Sequence, residues 1–299
     1  MNDAPTDIGI LKLMEVLRER GTPAGLTLEE RRARMDDIGD RFPVPSGAVI
    51  EPIEIAGCKA EWVYADGADR ERVMLYVHGG GYVQGSLHSH RNMVYEIARA
   101  MNGRVLNLDY RLGPENPFPA AVEDMVAAWQ ALLDSGVNPQ RASFGGDSAG
   151  GGLVVAALVS ARDKGMVLPA CGCCISPWTD LVGTGQTMET RASVDPMVGR
   201  EALTFFADLY MNGEDPAQPL ASPLYADLSG LPPLLVQVGA AETLLDDSRR
   251  LVARARHAGT EATYVEWANM PHIWHIFTPL LQASRDAIAE LGAFVKRHS

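Results

Sequence analysis

The sequence predicts an α/β protein in which a mostly parallel sheet of eight strands is covered by helices on both faces. From about residue 47 onward, short apolar runs alternate with segments of helical periodicity, which is typical of a parallel sheet buried on both sides. A chain of 299 residues that is 46% hydrophobic and 21% charged can also bury the core that such a sheet needs.

Eight predicted strands and five predicted helices account for most of the chain beyond residue 47. The strands are assigned to residues 49–55, 61–65, 73–78, 104–109, 141–144, 170–175, 234–238 and 263–267. The helices are assigned to residues 89–101, 120–135, 149–164, 244–258 and 283–297. Helices that follow strands in this order predict parallel connections, in which each helix crosses one face of the sheet.

Two regions lie outside this alternation. Residues 1–45 predict two helices, of which the second begins with a capping box formed by Thr27 and Glu30. The apolar residues on one face of the first helix are Ile10, Leu13, Met14 and Leu17. Residues from about 180 to 225, between the sixth and seventh strands, contain several prolines and two predicted short helices. We interpret this segment as an insertion in a domain that spans residues 46–299.

The charge and the cysteines limit the partners that this chain can have. The net charge of −12 argues against nucleic acid and anionic membranes. No run of about 18 apolar residues predicts a transmembrane helix, and the first residues lack the pattern of a signal peptide.

The four cysteines have no second cluster at metal-site spacing, so we expect buried thiols and no metal. These observations favour a reducing, cytoplasmic location.

Ser148 lies in a run of small residues, Gly-Gly-Asp-Ser-Ala-Gly-Gly-Gly. Gly146 and Gly150 complete the pattern G-x-S-x-G between a predicted strand and a predicted helix, the context in which such a serine is a nucleophile. Small neighbours let the strand and the helix approach each other at the sharp turn that exposes the serine oxygen. The N–H of Ala149, at the helix start, can then stabilise a developing oxyanion. A glycine-rich turn with no catalytic role is the alternative.

A second glycine run, His-Gly-Gly-Gly-Tyr, follows the third predicted strand. Its backbone N–H groups can face a reacting carbonyl, and we assign Gly80 and Gly81 as oxyanion donors beside Ala149. His78 begins the run and precedes the serine in the chain. We therefore interpret His78 as a structural residue that braces the loop by hydrogen bonds.

A general base is expected after the last predicted strand. His272 follows Pro271 in a loop there, whereas His275 falls on the next helical segment and is less free to reach the serine. We assign His272 as the base. His88 and His90 are interpreted as residues at the surface or at the mouth of a pocket.

The acid that orients this base is expected after the seventh predicted strand. Glu242 lies in the loop three residues past Gly239, and we assign it as the acid. Asp246 is the alternative, although it falls in the first turn of a helix, where the helix dipole favours acidic residues in any case. The resulting chain order is Ser148, Glu242, His272.

Three segments together resemble the hormone-sensitive-lipase family of α/β-hydrolases, the bacterial family IV esterases. They are residues 78–81, His-Gly-Gly-Gly; residues 109–120, Asp-Tyr-Arg-Leu-Gly-Pro-Glu-Asn-Pro-Phe-Pro-Ala; and residues 146–150, Gly-Asp-Ser-Ala-Gly. The resemblance extends from about residue 47 to the end of the chain. It implies the α/β-hydrolase fold, whose nucleophile, acid and base follow in this order. It also implies that residues 1–45 and about 180–225 form a helical cap over the active site.

The resemblance assigns the same site residues. It places the nucleophile at Ser148, the base at His272 and the oxyanion donors at Gly80, Gly81 and Ala149. The chain departs from the family where Glu242-Thr-Leu stands in place of the usual Asp-Pro-Leu, but a glutamate can hold and stabilise the imidazole in the same way. Arg111 and Glu115 are expected to pair behind the oxyanion loop.

The resemblance predicts a serine carboxylesterase that hydrolyses short- to medium-chain acyl esters through an acyl-enzyme, without a metal or an organic cofactor. The residues assigned to the substrate pocket are Tyr82, Phe205, Leu209, Tyr210 and Ile273. The same machinery acting on a lactone, an N-acetyl amide or a carbamate is one alternative. A non-catalytic ligand-binding protein on this scaffold is another. A homodimer is predicted through the last strand, because exposed sheet edges invite pairing.

Overall fold

Eight strands form a single sheet in the part of the chain that the computed structural model describes, residues 8–21 and 25–299. The strands are β1 (Ala48–Ile55), β2 (Cys58–Ala65), β3 (Val73–Val77), β4 (Arg104–Leu108), β5 (Ala142–Asp147), β6 (Cys171–Ile175), β7 (Leu234–Gly239) and β8 (Ala262–Trp267). Their spatial order is β1-β2-β4-β3-β5-β6-β7-β8. β2 pairs antiparallel with β1 and β4, and the other neighbouring strands are parallel. The predicted mostly parallel sheet is confirmed.

The helices of the described ranges follow the predicted positions. They are α1 (Gly9–Arg20), α2 (Leu28–Arg41), α3 (Leu87–Met101), α4 (Ala120–Asp134), α5 (Ala149–Asp163), α6 (Thr187–Thr190), α7 (Arg200–Met211), α8 (Leu245–His257) and α9 (Gln282–His298). The predicted capping box of Thr27 and Glu30 opens α2. Residues 1–7 and 22–24 of the predicted N-terminal helical region lie outside the described residues. Among the described residues, no helix combines the length and the hydropathy that a membrane span requires.

The strands direct alternate side chains into two apolar layers. Leu75 and Val77 of β3 pack with α4, α5 and α8 on one face of the sheet. Met74 and Tyr76 pack with α3 and α9 on the other face. The carboxyl ends of the parallel strands therefore meet at one edge, where the loops after β3, β5, β6, β7 and β8 come together.

β8 lies at one end of the sheet and pairs with β7 alone among the described strands. Its other edge keeps backbone groups that could pair with another chain. The homodimer predicted from this edge stays a prediction.

Arg32 holds α2 against two loops near the carboxyl ends of the strands. Its Nε donates to the carbonyl oxygen of Val83 at 2.8 Å, and its Nη2 donates to that of Gly113 at 2.8 Å. The same guanidinium binds both carboxylate oxygens of Glu115 at 2.7 Å. α2 is therefore fixed to the loop that carries the glycine run and to the loop after β4.

The predicted pair between Arg111 and Glu115 is wrong. Asp124 accepts from the backbone N–H of Arg111 at 2.8 Å and lies 2.7 Å from its guanidinium. Glu115 instead binds Arg32 of α2. Residues four positions apart face each other on a helix, but residues 111–115 form a loop, so Arg111 and Glu115 do not face each other. Their partners come from α4 and α2 instead.

We expect Glu115→Gln to lower the free energy of unfolding by no more than about 1 kcal/mol at pH 7, because the Glu115 side chain is 57% exposed. Hydrogen bonds from Arg32 lower the pKa of Glu115 from 4.5 to about 2. A lowered pKa in the folded state stabilises the fold above the ordinary pKa, and this stabilisation is lost as the pH falls from about 4.5 towards 2.

Urea unfolding of wild type and Glu115→Gln at pH 7 and at about pH 3.5 checks this prediction. The difference between the two proteins should shrink at the lower pH. Glu123→Gln is the matched control, because Glu123 is similarly exposed and lies 3.5 Å from Arg111. A difference of equal size at both pH values would contradict the prediction.

Candidate active site

The turn between β5 and α5 places Ser148 at the edge where the loops meet. Ser148 has φ 54° and ψ −119°, a conformation that non-glycine residues rarely adopt. Its N–H donates to the carbonyl oxygen of Ile175 at 2.8 Å, and its own carbonyl oxygen accepts from the N–H of Trp178 at 2.9 Å. A Cβ atom at Gly150 would lie 2.1 Å from the carbonyl oxygen of Val77, so this position of α5 has no room for a side chain. The glycines therefore permit the close approach that the turn needs.

His272 lies between Ser148 and Glu242. Its Nε2 is 2.9 Å from Ser148 Oγ, and its Nδ1 is 2.8 Å from Glu242 Oε2. Because an ionised carboxylate can only accept, Nδ1 carries the proton and donates to Glu242, and the lone pair of Nε2 accepts from the serine hydroxyl. His272 and Glu242 are buried, and Ser148 is 8% exposed. The structure thus brings together the three residues assigned from the sequence.

Ser176, which the sequence analysis did not single out, holds the acid in place. Its Oγ donates to Glu242 Oε1 at 2.7 Å and accepts from the N–H of Ile273 at 3.2 Å. The N–H of Gly239 also donates to Glu242 Oε1, at 2.5 Å. Ser176 directly follows β6, which lies between β5 and β7, so the sheet order itself places this residue between the nucleophile and the acid.

The surroundings of His272 raise its pKa above the ordinary value. Burial alone would lower the pKa, but the hydrogen bond to Glu242 and the charge of that carboxylate outweigh burial, and the charges of Asp195 and Asp147 act in the same direction. His272 is thereby suited to take a proton from Ser148 and to hold it during a reaction.

Asp246, the alternative acid, does not bind His272. Its Oδ2 accepts from the N–H of Thr187 at 3.1 Å, and its Oδ1 lies 3.6 Å from Arg249. Asp246 is the second residue of α8, so its carboxylate is directed by the first turn of that helix and not by the loop that carries Glu242.

The three assigned oxyanion donors lie in the loop after β3 and at the first residue of α5. Gly80 and Gly81 have φ of +120° and +63°, and Ala149 is the first residue of the 15-residue helix α5. Within residues 8–21 and 25–299, the N–H groups of these three residues donate to no other residue. They are therefore available to a ligand at the positive end of the helix dipole.

His78 is buried below this loop. Its Nδ1 lies 2.7 Å from the carbonyl oxygen of Gly79, and its ring stacks on Tyr110 with 4.6 Å between ring centres. Tyr110 in turn donates its hydroxyl to the carbonyl oxygen of His78 at 2.9 Å. Burial lowers the pKa of His78 to about 4, so the ring is neutral near pH 7 and braces the loop.

Four of the five residues assigned to the pocket are buried or half-buried. Tyr82 stacks in parallel on Tyr210 with 4.0 Å between ring centres. Ile273 directly follows His272 and is buried, and Leu209 is half-buried on α7. These side chains make the surroundings of the site largely apolar.

Phe205, the fifth assigned pocket residue, lies further out than its neighbour Phe206. Phe205 is 38% exposed, and the guanidinium of Arg31 lies 5.2 Å from its ring centre. Phe206 packs on the loop that carries the glycine run, because a Cβ atom at Gly81 would lie 2.6 Å from its ring. The segment between β6 and β7 therefore reaches the loop through Phe206.

Comparisons with known proteins place similar chains among the ester hydrolases. The sequence pattern of a family described as the alpha/beta hydrolase fold matches residues 74–276. An acetyl-hydrolase of Streptomyces hygroscopicus is 46% identical over 272 residues, which cover 90% of each chain. A crystal structure of an esterase from the bacterial hormone-sensitive-lipase family superposes with a TM-score of 0.95 at 49% identity and covers 97% of each chain. The chain belongs to the hormone-sensitive-lipase family of α/β-hydrolases. It is a carboxylic ester hydrolase, like the Acinetobacter venetianus esterase that is 32% identical over 276 residues and 91% of each chain.

The departure from the usual family pattern after Glu242 is explained by a contact to the insertion. Where the pattern has proline, Thr243 donates its N–H to Asp195 Oδ2 at 2.9 Å and its hydroxyl to the same oxygen at 3.2 Å. A proline has no N–H to donate. In this hormone-sensitive-lipase family member, the acid loop is therefore hydrogen-bonded to the segment between β6 and β7.

The interpretation of His90 as a surface or pocket-mouth residue is wrong. His88, in contrast, is half-exposed, and its Nε2 lies 2.9 Å from Asp40 Oδ1 of α2. His90 is fully buried with Met93, Val94 and Ile97. These positions follow the i, i+3, i+4, i+7 spacing of one helix face, so the periodicity of α3 could have placed His90 inside.

Proposed function

We propose that this hormone-sensitive-lipase family hydrolase is a serine carboxylesterase that acts on short- to medium-chain acyl esters through an acyl-enzyme on Ser148. The observation that carries the proposal is the hydrogen-bonded row of Ser148, His272 and Glu242 at the amino end of α5. In this proposal Ser148 is the nucleophile, His272 is the general base and acid, and Glu242 orients His272.

In the acylation half, Ser148 Oγ attacks the ester carbonyl carbon while His272 Nε2 takes the hydroxyl proton. The carbonyl oxygen becomes an oxyanion that accepts hydrogen bonds from the N–H groups of Gly80, Gly81 and Ala149. The protonated imidazole is stabilised by Glu242, and it then donates its Nε2 proton to the leaving alkoxide as the carbon–oxygen bond breaks. The alcohol leaves and the acyl group remains on Ser148.

In the deacylation half, a water molecule takes the place of the alcohol. His272 takes one proton from this water as its oxygen attacks the acyl carbon, and the oxyanion forms again at the same three donors. Collapse of this intermediate returns the proton to Ser148 Oγ and releases the carboxylic acid. The steps balance with residues of this chain and water alone.

We propose that residues 1–45 and about 180–225 form the cap over this site. Two contacts support the proposal: Arg32 of α2 binds the carbonyl oxygen of Val83, and Phe206 of α7 packs on Gly81. A short acyl chain fits these closed, apolar surroundings better than a long one. The name of the Streptomyces relative, an acetyl-hydrolase, also supports a short acyl group.

Hydrolysis of p-nitrophenyl esters from acetate to laurate tests the proposal. We expect kcat/KM to be highest among the acetate, butyrate and hexanoate esters and to fall steeply at laurate. Mass spectrometry after reaction with a sulfonyl fluoride should find the label on the peptide that contains Ser148. Absence of ester hydrolysis, or labelling elsewhere in the chain, would contradict the assignment.

We propose a cytoplasmic location and a homodimer as well. All four cysteines are free and buried, which suits a reducing compartment. The outer edge of β8 supports pairing with a second copy. Light scattering measures the molar mass of wild type and of Tyr264→Pro, a change in the middle of β8. The homodimer predicts twice the mass of one chain for wild type and a lower mass for the variant.

A further inference from the structure

A buried carboxylate connects the serine turn to the glycine run. Asp147, the residue before Ser148, is fully buried. Its Oδ1 accepts from the hydroxyl of Tyr76 at 2.6 Å and from the N–H of Gly79 at 3.1 Å. Its Oδ2 lies 3.3 Å from Nε2 of His90. One side chain thus joins β5, β3, the glycine run and α3.

The ring of His90 is hydrogen-bonded at Nδ1 and lies close to Asp147 at Nε2. Its Nδ1 lies 2.8 Å from the hydroxyl oxygen of Ser89, and its Nε2 faces Asp147. The 3.3 Å between Nε2 and Asp147 Oδ2 is a close approach of the ring to the carboxylate, without a hydrogen bond between these two atoms. The ring also stacks on His78 with 5.4 Å between ring centres. His90 therefore has little freedom to move away from the carboxylate.

The glycine run fits closely around this pair. A Cβ atom at Gly79 would lie 2.3 Å from Asp147 Oδ2, and one at Gly85 would lie 2.5 Å from Nδ1 of His78. Neither position has room for a side chain, and the N–H of Gly79 is hydrogen-bonded to the Asp147 carboxylate. The N–H groups of Gly80 and Gly81 are the next two in the chain after this hydrogen bond.

We propose that His90 and Asp147 are positioning residues for the oxyanion hole, which fix the N–H groups of Gly80 and Gly81 relative to Ser148 Oγ. The inference rests on the proposed function, in which those N–H groups bind the oxyanion. His90 has a second effect, because it faces a carboxylate whose unpaired charge would oppose the negative charge that develops nearby. Burial would raise the pKa of Asp147, but His90 and the hydroxyl of Tyr76 lower it below the ordinary value, so the group is a carboxylate.

Loss of this pair should destabilise mainly the transition state and leave the bound substrate little affected. The oxyanion exists only after attack, so a misplaced donor lowers kcat while substrate binding, and hence KM, changes little. Displacement of a catalytic group by about 1 Å can cost a factor of about 100 in rate.

Three variants of α3 test the proposal. His90→Phe keeps a ring for packing and removes the two ring nitrogens, whereas His90→Gln keeps a polar amide that can face Asp147. His88→Phe is the matched control, since the same change is made two residues away at a half-exposed position that does not face Asp147. We expect His90→Phe to lower kcat on p-nitrophenyl acetate by about 10- to 100-fold with KM within about twofold. His90→Gln should recover most of the loss, and His88→Phe should stay within about twofold of wild type.

A transition-state analogue separates positioning from a general loss of structure. An alkyl trifluoromethyl ketone forms a hemiketal with the serine, and its oxygen occupies the oxyanion hole. In His90→Phe its inhibition constant should rise by the same factor by which kcat/KM falls. Wild-type kcat in a folded His90→Phe variant, or a fall in kcat with unchanged inhibition, would overturn the proposal.

A second variant keeps the proposal testable if His90→Phe does not fold. Tyr76→Phe removes only the hydroxyl 2.6 Å from Asp147 and should lower kcat and inhibitor affinity together, by about tenfold. Unchanged kcat in Tyr76→Phe would then overturn the proposal. Ester hydrolysis that persists in Ser148→Ala would contradict the proposed function itself, whereas full activity of the His90 variants with an inactive Ser148→Ala would contradict this inference alone.

Discussion

Ser148→Ala is expected to lower kcat for p-nitrophenyl acetate by about 10⁵- to 10⁶-fold, to the level set by binding and the oxyanion donors. In the proposed mechanism the Oγ atom that the substitution removes forms the acyl-enzyme, and no other hydroxyl lies within hydrogen-bond distance of His272 Nε2 among the described residues. The variant should fold, because the turn is held by backbone hydrogen bonds of Ser148 that alanine also makes.

Ser143→Ala is a matched control for this loss. Ser143 is a buried serine of β5, the strand that leads to Ser148, and its Oγ donates to the carbonyl oxygen of Val73 at 3.3 Å. Its removal should leave kcat within about twofold of wild type. Thermal unfolding of both variants shows whether they are folded. A folded Ser148→Ala that keeps more than a trace of the activity would contradict the proposed nucleophile.

Glu242→Gln is expected to lower kcat by about 10⁴-fold. The amide keeps the shape of the side chain but no longer carries the charge that stabilises the protonated His272. It also offers an N–H that can turn the histidine to the wrong tautomer. Asp246→Asn tests the alternative acid and should have little effect, because Asp246 binds Thr187 and not His272.

The pH profile gives a second result for Glu242→Gln. His272 must be neutral to take the serine proton, so kcat/KM falls as the pH drops through its pKa in the free enzyme. Glu242 raises that pKa, and the variant should therefore lose activity only at a lower pH than wild type. A greater loss in Asp246→Asn than in Glu242→Gln, or an acidic limb that moves to higher pH, would contradict the assignment.

Features that depend on neighbours in sequence could be predicted without coordinates. The strands and helices follow from apolar periodicity and from turn residues, because each is decided within about ten residues. Ser148 could be assigned because its glycines and its place between a strand and a helix are local features. Glu242 and His272 then follow from chain order, since the loops after parallel strands meet at one edge of the sheet.

Contacts between distant segments could not be predicted in this way. Arg32 reaches Glu115 across 83 positions, and Ser176 reaches Glu242 across 66. Both contacts depend on which strands are neighbours and on where the helices lie, which local patterns do not specify. The surface position predicted for His90 is wrong for a different reason. The polarity of histidine favours the surface, but the apolar spacing of its helix indicates the interior.

The backbone conformation of Ser148 creates a conflict between stability and activity at the centre of the enzyme. A non-glycine residue in such a conformation costs about 1–3 kcal/mol, a substantial part of the 5–15 kcal/mol by which domains are typically stable. Glycine would adopt the same turn at less cost, so a chain selected for stability alone would exchange its serine for glycine. The rest of the fold must therefore offset this cost while the chain keeps Ser148, and variants improved in stability at this turn should be inactive ones.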